Sequence, residues 1–337
     1  MRPYALAMLL AVIGTLVAIG VVVAYGLPWR DPDGIAGPAY VRLPAAVLLM
    51  VILDVVPRAI HRRVNVKVVL KERYGPERTA LVAVGLAAFY LSYVSYRNLK
   101  GALPLARPDV MDQKLLVLDR LMAFGAEPGV LLHDLLGTGL AAHVLSFVYI
   151  GFLAFVPVSL GVALVWSRSV WIGAWYVTAM CLNWLLGALS YYLVPSLGPV
   201  FVRGDLYADL PLTAASHLQQ SLATARLEVL ADPRGADAIA GVAGFASLHC
   251  SITFTAALIA HRIALPRIVR WSMWVFLALT VTATAYFGWH YLIDDVAGIA
   301  LGYCAVNVAQ RATRLVSTEE ELAVVEPEPV GSAARMP

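Results

Sequence analysis

The chain has 337 residues, of which 60% are hydrophobic and only 14% are charged, and its mean hydropathy is +0.75. This composition excludes most water-soluble folds and predicts an all-α integral membrane protein. The formal net charge of +3 is too small to indicate nucleic acid as a partner. The three cysteines lie in or beside apolar runs and lack metal-ligand spacing, so we expect buried free thiols at Cys181, Cys250 and Cys304.

Apolar runs along the chain predict about eight transmembrane helices. The first is longer than the apolar region of a signal peptide, which is usually about 7–15 residues, so we expect it to be an uncleaved helix. The last begins at the polar stretch 290–294. The eight runs cover about residues 4–27, 41–56, 79–96, 140–166, 170–193, 247–262, 271–287 and 292–311.

The distribution of positive charge predicts the orientation in the membrane. The segment between the second and third runs contains seven basic residues between Arg58 and Arg78, and such a loop is retained in the cytoplasm. The loop after the sixth run, with Arg262, Arg267 and Arg270, fits the same side. We therefore expect both termini to be cytoplasmic, in a membrane that we take to be a bacterial plasma membrane.

The sequence predicts five segments of the chain with different roles. Residues 1–78 are two accessory helices and the basic loop, and residues 79–316 are a six-helix catalytic core. Within the core, residues 110–136 are expected to form an amphipathic helix in the outer interface, with Asp112 and Asp119 on its wet face. The outer loop 199–245 is long enough to be a lid. Residues 317–337 are expected to be a disordered acidic cytoplasmic tail.

A histidine and two carboxylates interrupt the last long apolar region. Burying an unpaired charge in hydrocarbon costs several kcal/mol, so these residues need a role. His290 and Asp294 are four residues apart and share a face of a helix. A carboxylate bonded to one imidazole nitrogen makes the other nitrogen a stronger nucleophile or base. The next residue, Asp295, fits equally well a contact with a polar head group and a solvated position at the interface.

Three polar clusters reach the same, extracytoplasmic side in this topology. They are Lys100 to Pro108, Gly244 to His249, and His290 to Asp294. Cationic side chains can hold a phosphate, one histidine can attack phosphorus, and a second can protonate the departing oxygen. A helix start near Ser247 adds N–H donors for an anion. The clusters together indicate phosphoryl transfer.

The same residues resemble the type 2 phosphatidic acid phosphatase superfamily. Lys100 to Pro108 is similar to its first motif, Ala246 to His249 to its second, and His290 to Asp294 to its third. Leu248 and the stretch from Tyr192 to Pro199 resemble the branch of inositol phosphorylceramide synthases and related head-group transferases. The resemblance covers about residues 79–314.

The resemblance implies a role for each matching residue. His290 forms a phosphohistidine, Asp294 supports it and His249 is the general acid. Lys100, Arg107 and Ser247 bind phosphate, and no metal or other cofactor takes part. In two places the sequence departs from the family pattern. Thr284 replaces the arginine of the third motif, with Arg97 or Arg203 as the candidate substitute, and Ala246 replaces the usual proline of the second motif.

The substrate predicted is a membrane lipid, either a phospholipid or a polyprenyl phosphate, and the acceptor is an alcohol or water. An alcohol acceptor makes the protein a head-group phosphotransferase, and water makes it a lipid phosphate phosphatase. A transporter of anionic lipids is the alternative from another class. A metal site of His249, His290 and Asp294 is a further alternative, but it leaves Lys100 and Arg107 without a role.

Overall fold

A computed structural model describes residues 2–31, 37–167, 169–235 and 244–325, with side chains up to Arg314. The described residues form thirteen α-helices and no strand. Shorter 3-10 turns cover Arg2–Tyr4 and Gly204–Tyr207, and a π-helical turn covers Val162–Trp166. The α-helices are α1 (Ala5–Ala24), α2 (Ala39–Arg62), α3 (Val66–Arg73), α4 (Pro76–Ala106), α5 (Asp112–Met122), α6 (Pro128–Leu136), α7 (Leu140–Gly161), α8 (Val170–Leu193), α9 (Pro199–Val202), α10 (Ala214–Ala231), α11 (Leu248–Arg262), α12 (Arg267–Tyr286) and α13 (Leu292–Val325).

The predicted fold class, an all-α integral membrane protein, is confirmed. Seven of the helices in the described ranges are long and apolar enough to cross a membrane. The eighth expected span is α11, which has only 15 residues and is about 22 Å long. It packs against α8, α12 and α13, and most of its residues are buried. A helix surrounded by protein need not have the length or apolarity of one that faces lipid.

Helix α8 lies at the centre of the bundle. It packs against α1, α4, α11 and α13, and 78% of its most apolar window is buried. Asn183, in the middle of α8, donates to the Thr255 hydroxyl at 3.0 Å and accepts a hydrogen bond from the Ser251 hydroxyl. This polar contact joins α8 to α11 and fixes their relative height in the bundle.

The two N-terminal helices pack against the core. Small residues on α1, among them Ala7, Ala11 and Ala18, are fully buried against α4 and α8. The hydroxyls of Thr15 and Ser95 lie 3.0 Å apart across the contact between α1 and α4. Helix α1 thus shares the main hydrophobic core with α4 and α8.

The segments at the end of the bundle where α4 ends and α13 begins differ from the sequence expectation. The interfacial segment 110–136 is two helices, α5 and α6, separated by a turn in which Phe124 and Gly125 have positive φ. The loop 199–245 is largely helical over its described part, because it contains α9 and α10. Its residues 236–243, which include Asp237, lie outside the described residues.

Two further expectations are corrected by α5 and α13. Asp112 and Asp119 are 2% and 3% exposed, so they do not lie on a wet face. Helix α13 continues to Val325, into the segment predicted to be disordered from residue 317. The segment 319–323 is made of glutamate, leucine and alanine, which favour helix strongly enough to extend α13. The remainder of the tail, 326–337, lies outside the described residues.

Candidate active site

His290 and Asp294 form the pair that their spacing predicted. His290 Nδ1 lies 3.3 Å from Asp294 Oδ2, and the two side chains are 3% and 1% exposed. The same carboxylate oxygen accepts the backbone N–H of Tyr291 at 3.1 Å. With Nδ1–H donated to Asp294, the lone pair of His290 is on Nε2, which makes no hydrogen bond within the described part of the chain.

The backbone around His290 turns tightly between α12 and α13. Gly288 has φ of +64°, and a Cβ there would lie 2.4 Å from the ring of Tyr207. Opposite this turn, Gly198 has φ of +106°, and a Cβ there would lie 2.4 Å from the Trp289 carbonyl oxygen. Only glycine allows the segment 195–200 to approach the catalytic turn this closely.

His249 lies in the first turn of α11, beside His290. The centroids of the two imidazole rings are 5.9 Å apart. The His249 ring stacks on Tyr149 of α7 at 4.6 Å, and Tyr149 stacks on Trp289 at 4.9 Å. Phe152 also contacts the His249 ring, with centroids 4.3 Å apart. These aromatic contacts hold His249 in place without using either of its nitrogens.

Ser247 links the second and third motifs. Its backbone N–H donates to the Asp294 carbonyl oxygen at 2.9 Å, and its hydroxyl oxygen accepts from the Cys250 N–H as the N-cap of α11. The residue is fully buried. Its side chain also interacts with the Asp295 carboxylate. A role for Ser247 in binding phosphate stays a prediction.

Lys100 lies near the end of α4 over two tyrosine rings. Its Nζ is 5.4 Å from the ring centroid of Tyr191 and 6.0 Å from that of Tyr96. No carboxylate of a described residue forms a salt bridge with it. Its charge acts on His290. Lys100 is therefore a cation held over two tyrosine rings, close enough to His290 to affect it electrostatically.

The two arginines predicted to bind phosphate are placed differently. Arg97 is one turn before Lys100 on the same face of α4, and its Nε is buried without a hydrogen-bond partner. Arg107 follows the last residue of α4 and is exposed, and its guanidinium donates to the Tyr192 carbonyl oxygen. The structure thus brings Arg97 close to Lys100, whereas it engages Arg107 with the end of α8.

Thr284, at the position of the missing arginine, has a structural partner. Its hydroxyl donates to Asp295 Oδ2 at 2.9 Å, and the Cys250 thiol donates to Asp295 Oδ1 at 2.9 Å. Asp295 is 2% exposed, so it is not a solvated interface residue. Arg203 pairs with Asp205 at 2.8 Å and lies 3.6 Å from Glu127. Of the two candidate substitutes, Arg97 is therefore the one left without a carboxylate partner.

The site holds His290 in its neutral form. Burial lowers the pKa of His290 to about 4, Lys100 lowers it further, and Asp295 opposes the shift. Neutral imidazole is the form that can attack phosphorus. Burial also raises the pKa of Asp119, on α5, to about 7, and the charges of Asp294 and Asp295 add to that rise.

Sequence reasoning missed two carboxylates of this region, Asp112 and Asp119. Asp119 accepts the backbone N–H of Leu292 at 2.7 Å, and Asp112 accepts the hydroxyl of Tyr291 at 2.8 Å. A signal was present in the sequence. Asp112 and Asp119 share the spacing i, i+3, i+4, i+7 with Leu115 and Leu116, which places all four on one helix face.

The family model of the PAP2 superfamily matches residues 113–308, more than half of the chain. The chain belongs to the PAP2 superfamily. The match includes His249, His290 and Asp294, but it begins after Lys100 and Arg107. Comparison with curated proteins and with solved structures found no match in either set.

Members of the PAP2 superfamily are generally phosphatases or phosphotransferases, and this describes the chain at the coarse level. The seven apolar helices fit an integral membrane protein of this superfamily. Within the described ranges, no three His, Cys, Asp or Glu side chains are grouped so that they could hold a metal ion.

Proposed function

We propose that the protein is a membrane phosphotransferase that acts on phosphate esters of lipids through a phosphohistidine at His290. The observation that carries this proposal is the buried His290–Asp294 pair, with His249 and Lys100 beside it. The activity resembles head-group transfer by inositol phosphorylceramide synthase. The site faces the extracytoplasmic side in the topology that the basic loops favour.

In the first step, His290 Nε2 attacks phosphorus and the bond from phosphorus to the ester oxygen breaks. Asp294 keeps the proton on Nδ1 and stabilises the positive charge that develops on the ring. Lys100 and Arg97 neutralise the phosphate oxygens, as their unpaired cationic groups allow. His249 acts as the general acid and gives its proton to the departing alcohol oxygen.

His249 is suited to this proton transfer by its position. Its ring lies 5.9 Å from that of His290, so a phosphorus atom on His290 would hold its oxygens near His249. The negative charge of a bound phosphate favours the protonated imidazole. In the second step, an acceptor hydroxyl gives its proton to His249 and attacks phosphorus, and the bond between phosphorus and Nε2 breaks.

The burial of the site supports transfer of the phosphoryl group to an alcohol rather than to water. Two hydrogen bonds attach helix α10 to the core. The Ala215 N–H donates to the Ser146 hydroxyl at 3.0 Å, and Gln219 Nε2 donates to the Phe287 carbonyl oxygen at 2.8 Å. His290 itself is only 3% exposed. Restricting bulk water protects a phosphohistidine until a lipid alcohol arrives.

The test uses purified protein with EDTA and three donors, namely phosphatidic acid, phosphatidylinositol and a polyprenyl phosphate. Phosphate release and new lipid products are followed with and without a lipid alcohol acceptor such as ceramide or diacylglycerol. We expect turnover without metal and a covalent phosphoenzyme that is stable to base and labile to acid. His290→Ala should abolish both, with a loss of at least about 10³-fold.

The product separates the candidate activities. A new phospholipid that appears only with the acceptor supports transfer, whereas free phosphate at the same rate with or without acceptor makes the protein a phosphatase. Equal activity in wild type and His290→Ala would contradict the phosphohistidine. Folded protein that turns over no donor would favour transport of anionic lipids.

A further inference from the structure

The two carboxylates of α5 face inward, on the same face of the helix as the buried Leu115 and Leu116. Asp112 and Asp119 are buried, whereas Val117 is 58% and Leu121 71% exposed. Burying a carboxylate costs several kcal/mol unless strong hydrogen bonds offset the loss of water. The contacts that offset this cost are all made with two segments, the catalytic turn and the segment 195–198.

Asp119 binds the start of the helix that carries Asp294. Its Oδ1 accepts the Leu292 N–H at 2.7 Å, and Leu292 is the first residue of α13. A helix start has N–H groups without intrahelical partners, and a carboxylate there satisfies one of them and favours the helix dipole. Asp119 therefore fixes where α13 begins, two residues after His290.

Asp112 joins two segments to α5 with one carboxylate. Its Oδ1 accepts the Tyr291 hydroxyl at 2.8 Å and the Gly198 N–H at 3.0 Å. The Leu197 N–H lies 3.0 Å from the same oxygen and 3.1 Å from Oδ2. Nearby, the Val200 N–H donates to the Gly288 carbonyl oxygen at 3.0 Å. The segment 195–200 and the turn at 288–291 are thus held as one unit.

These contacts surround His290 on both sides in sequence but do not touch its ring. Tyr291, which follows His290, is fixed at its N–H by Asp294 and at its hydroxyl by Asp112. Leu292 is fixed by Asp119. The direction of the His290 ring depends on this backbone, since its own side chain has a single hydrogen bond.

We propose that Asp112 and Asp119 are positioning residues for the phosphoryl transfer, which hold residues 290–292 so that His290 Nε2 points at phosphorus. The inference rests on the proposed function and adds to it a second pair of carboxylates that the three family motifs do not contain. These residues act through the backbone and through Tyr291, and they do not bind the substrate.

A loss of positioning has a different effect from a loss of binding. The phosphate is held by cations on α4, a separate helix, so KM should change little when α5 is altered. The chemical step depends on the direction of attack, and a displacement of about 1 Å can lower its rate by about 100-fold. A residue with only a structural role would instead reduce the amount of folded protein and leave kcat per folded molecule unchanged.

The experiment compares Asp119→Ala, Asp119→Asn and a matched control, Asp109→Asn, which alters an exposed aspartate just before α5. The donor is whichever of phosphatidic acid, phosphatidylinositol and a polyprenyl phosphate the wild type turns over fastest, in detergent micelles. We expect Asp119→Ala to lower kcat by about 10–100-fold with KM within about 2-fold. Asp119→Asn should recover most of the loss, because its amide oxygen can still accept the Leu292 N–H. The control should match wild type.

A double-mutant cycle tests the role of Asp112. If Asp112 acts through the Tyr291 hydroxyl, the double variant Asp112→Asn/Tyr291→Phe should lose less kcat than the product of the two single losses. Fully multiplicative losses would contradict action through this bond. Each variant is compared at equal amounts of monodisperse protein, so that poor folding is not mistaken for slow chemistry.

Amide hydrogen exchange of residues 288–293 gives a readout that needs no substrate. We expect faster exchange in Asp119→Ala than in Asp109→Asn, and equal exchange with an unchanged kcat would overturn the proposal. The two hypotheses fail in different ways. If His290→Ala is as active as wild type, the proposed function is wrong. If His290→Ala is inactive but Asp119→Ala is normal in kcat and in exchange, only the positioning role is wrong.

Discussion

The two ends of the helix bundle differ in what their buried carboxylates bind. At the end where α2 meets α3, Asp54 pairs with Arg58 at 2.9 Å and with Arg73 at 2.6 Å. Arg62 pairs with Glu72 at 2.6 Å. Each of these carboxylates has a cationic partner, in a segment where basic residues outnumber acidic ones.

At the site end, Arg203 is paired with Asp205, but the buried carboxylates and the cations of α4 are not paired with each other. Asp112, Asp119 and Asp295 bind backbone N–H groups, hydroxyls or a thiol, and no cation of a described residue lies within salt-bridge distance of them. Lys100 and Arg97 are left without a carboxylate partner in the described part of the chain. Lys100 and Arg97 are half-buried, and a cation partly shielded from water gains from an anionic partner. Their charge is therefore available to an anionic substrate, whereas Asp54, the buried carboxylate of the opposite end, already has its cationic partners.

The largest effect in this comparison is expected for Asp294→Asn. The amide cannot stabilise the positive charge on His290, and it favours the wrong tautomer of the ring, so kcat should fall by about 10²–10⁴-fold. Steady-state kinetics at saturating donor, together with the amount of trapped phosphohistidine, measures this. A variant with near wild-type kcat would show that His290 does not need its carboxylate.

A comparison of two arginine variants tests which cation replaces the arginine of the third motif. Arg97→Ala should lower kcat/KM by about 10–100-fold, the loss expected for a charged hydrogen bond to phosphate. Arg203→Ala should stay within about 2-fold of wild type, because Arg203 is already paired with Asp205. The opposite order of the two effects would assign the phosphate to Arg203.

The pH dependence of activity tests the neutral state of His290. Its pKa is lowered to about 4, chiefly by burial, so the imidazole is neutral and nucleophilic above that pH. We expect an acid limb of kcat/KM near pH 4, with a tenfold loss for each further pH unit. The stability of the folded protein also decreases at low pH. The folded state binds fewer protons at His290 than the unfolded state, so its free energy of unfolding falls as the pH drops from about 6.5 to 4. An acid limb near pH 6.5 instead of pH 4 would contradict the burial of this ring.

Hydropathy predicted the helices but not all of their limits. Every one of the eight apolar runs corresponds to a helix, yet the third was expected to end near residue 96 and α4 continues to Ala106. Polar residues such as Asn98 stop the apolar pattern without stopping the helix, because Asn98 binds Arg30 and the carbonyl oxygen of Val94. The extension places Lys100 on the rigid helix itself.

Motif spacing predicted the residues of the site that are close in sequence, and missed those that only the fold brings together. The His290–Asp294 contact follows from four-residue spacing. The contact between Tyr291 and Asp112 joins residues 179 positions apart, and no periodicity contains it. For α5, the assumption that charge faces water gave the wrong position for the carboxylates, since Asp112 and Asp119 bind the neighbouring turn, whereas Val117 and Leu121 face outward.

The smallest effect on activity is expected at the opposite end of the bundle. Asp54→Asn removes the carboxylate shared by Arg58, Arg73 and the Tyr74 hydroxyl, so thermal unfolding in detergent should occur at a lower temperature. Since Arg58 is half exposed, the loss should be only about 1–2 kcal/mol. The kcat of the folded protein should stay within about 2-fold of wild type, because Asp54 lies at the opposite end of the bundle from Lys100 and His290 and has no part in holding phosphate. A fall in kcat as large as that of Arg97→Ala would mean that charge at the two ends is coupled, and the division of the bundle into a structural and a reactive end would then fail.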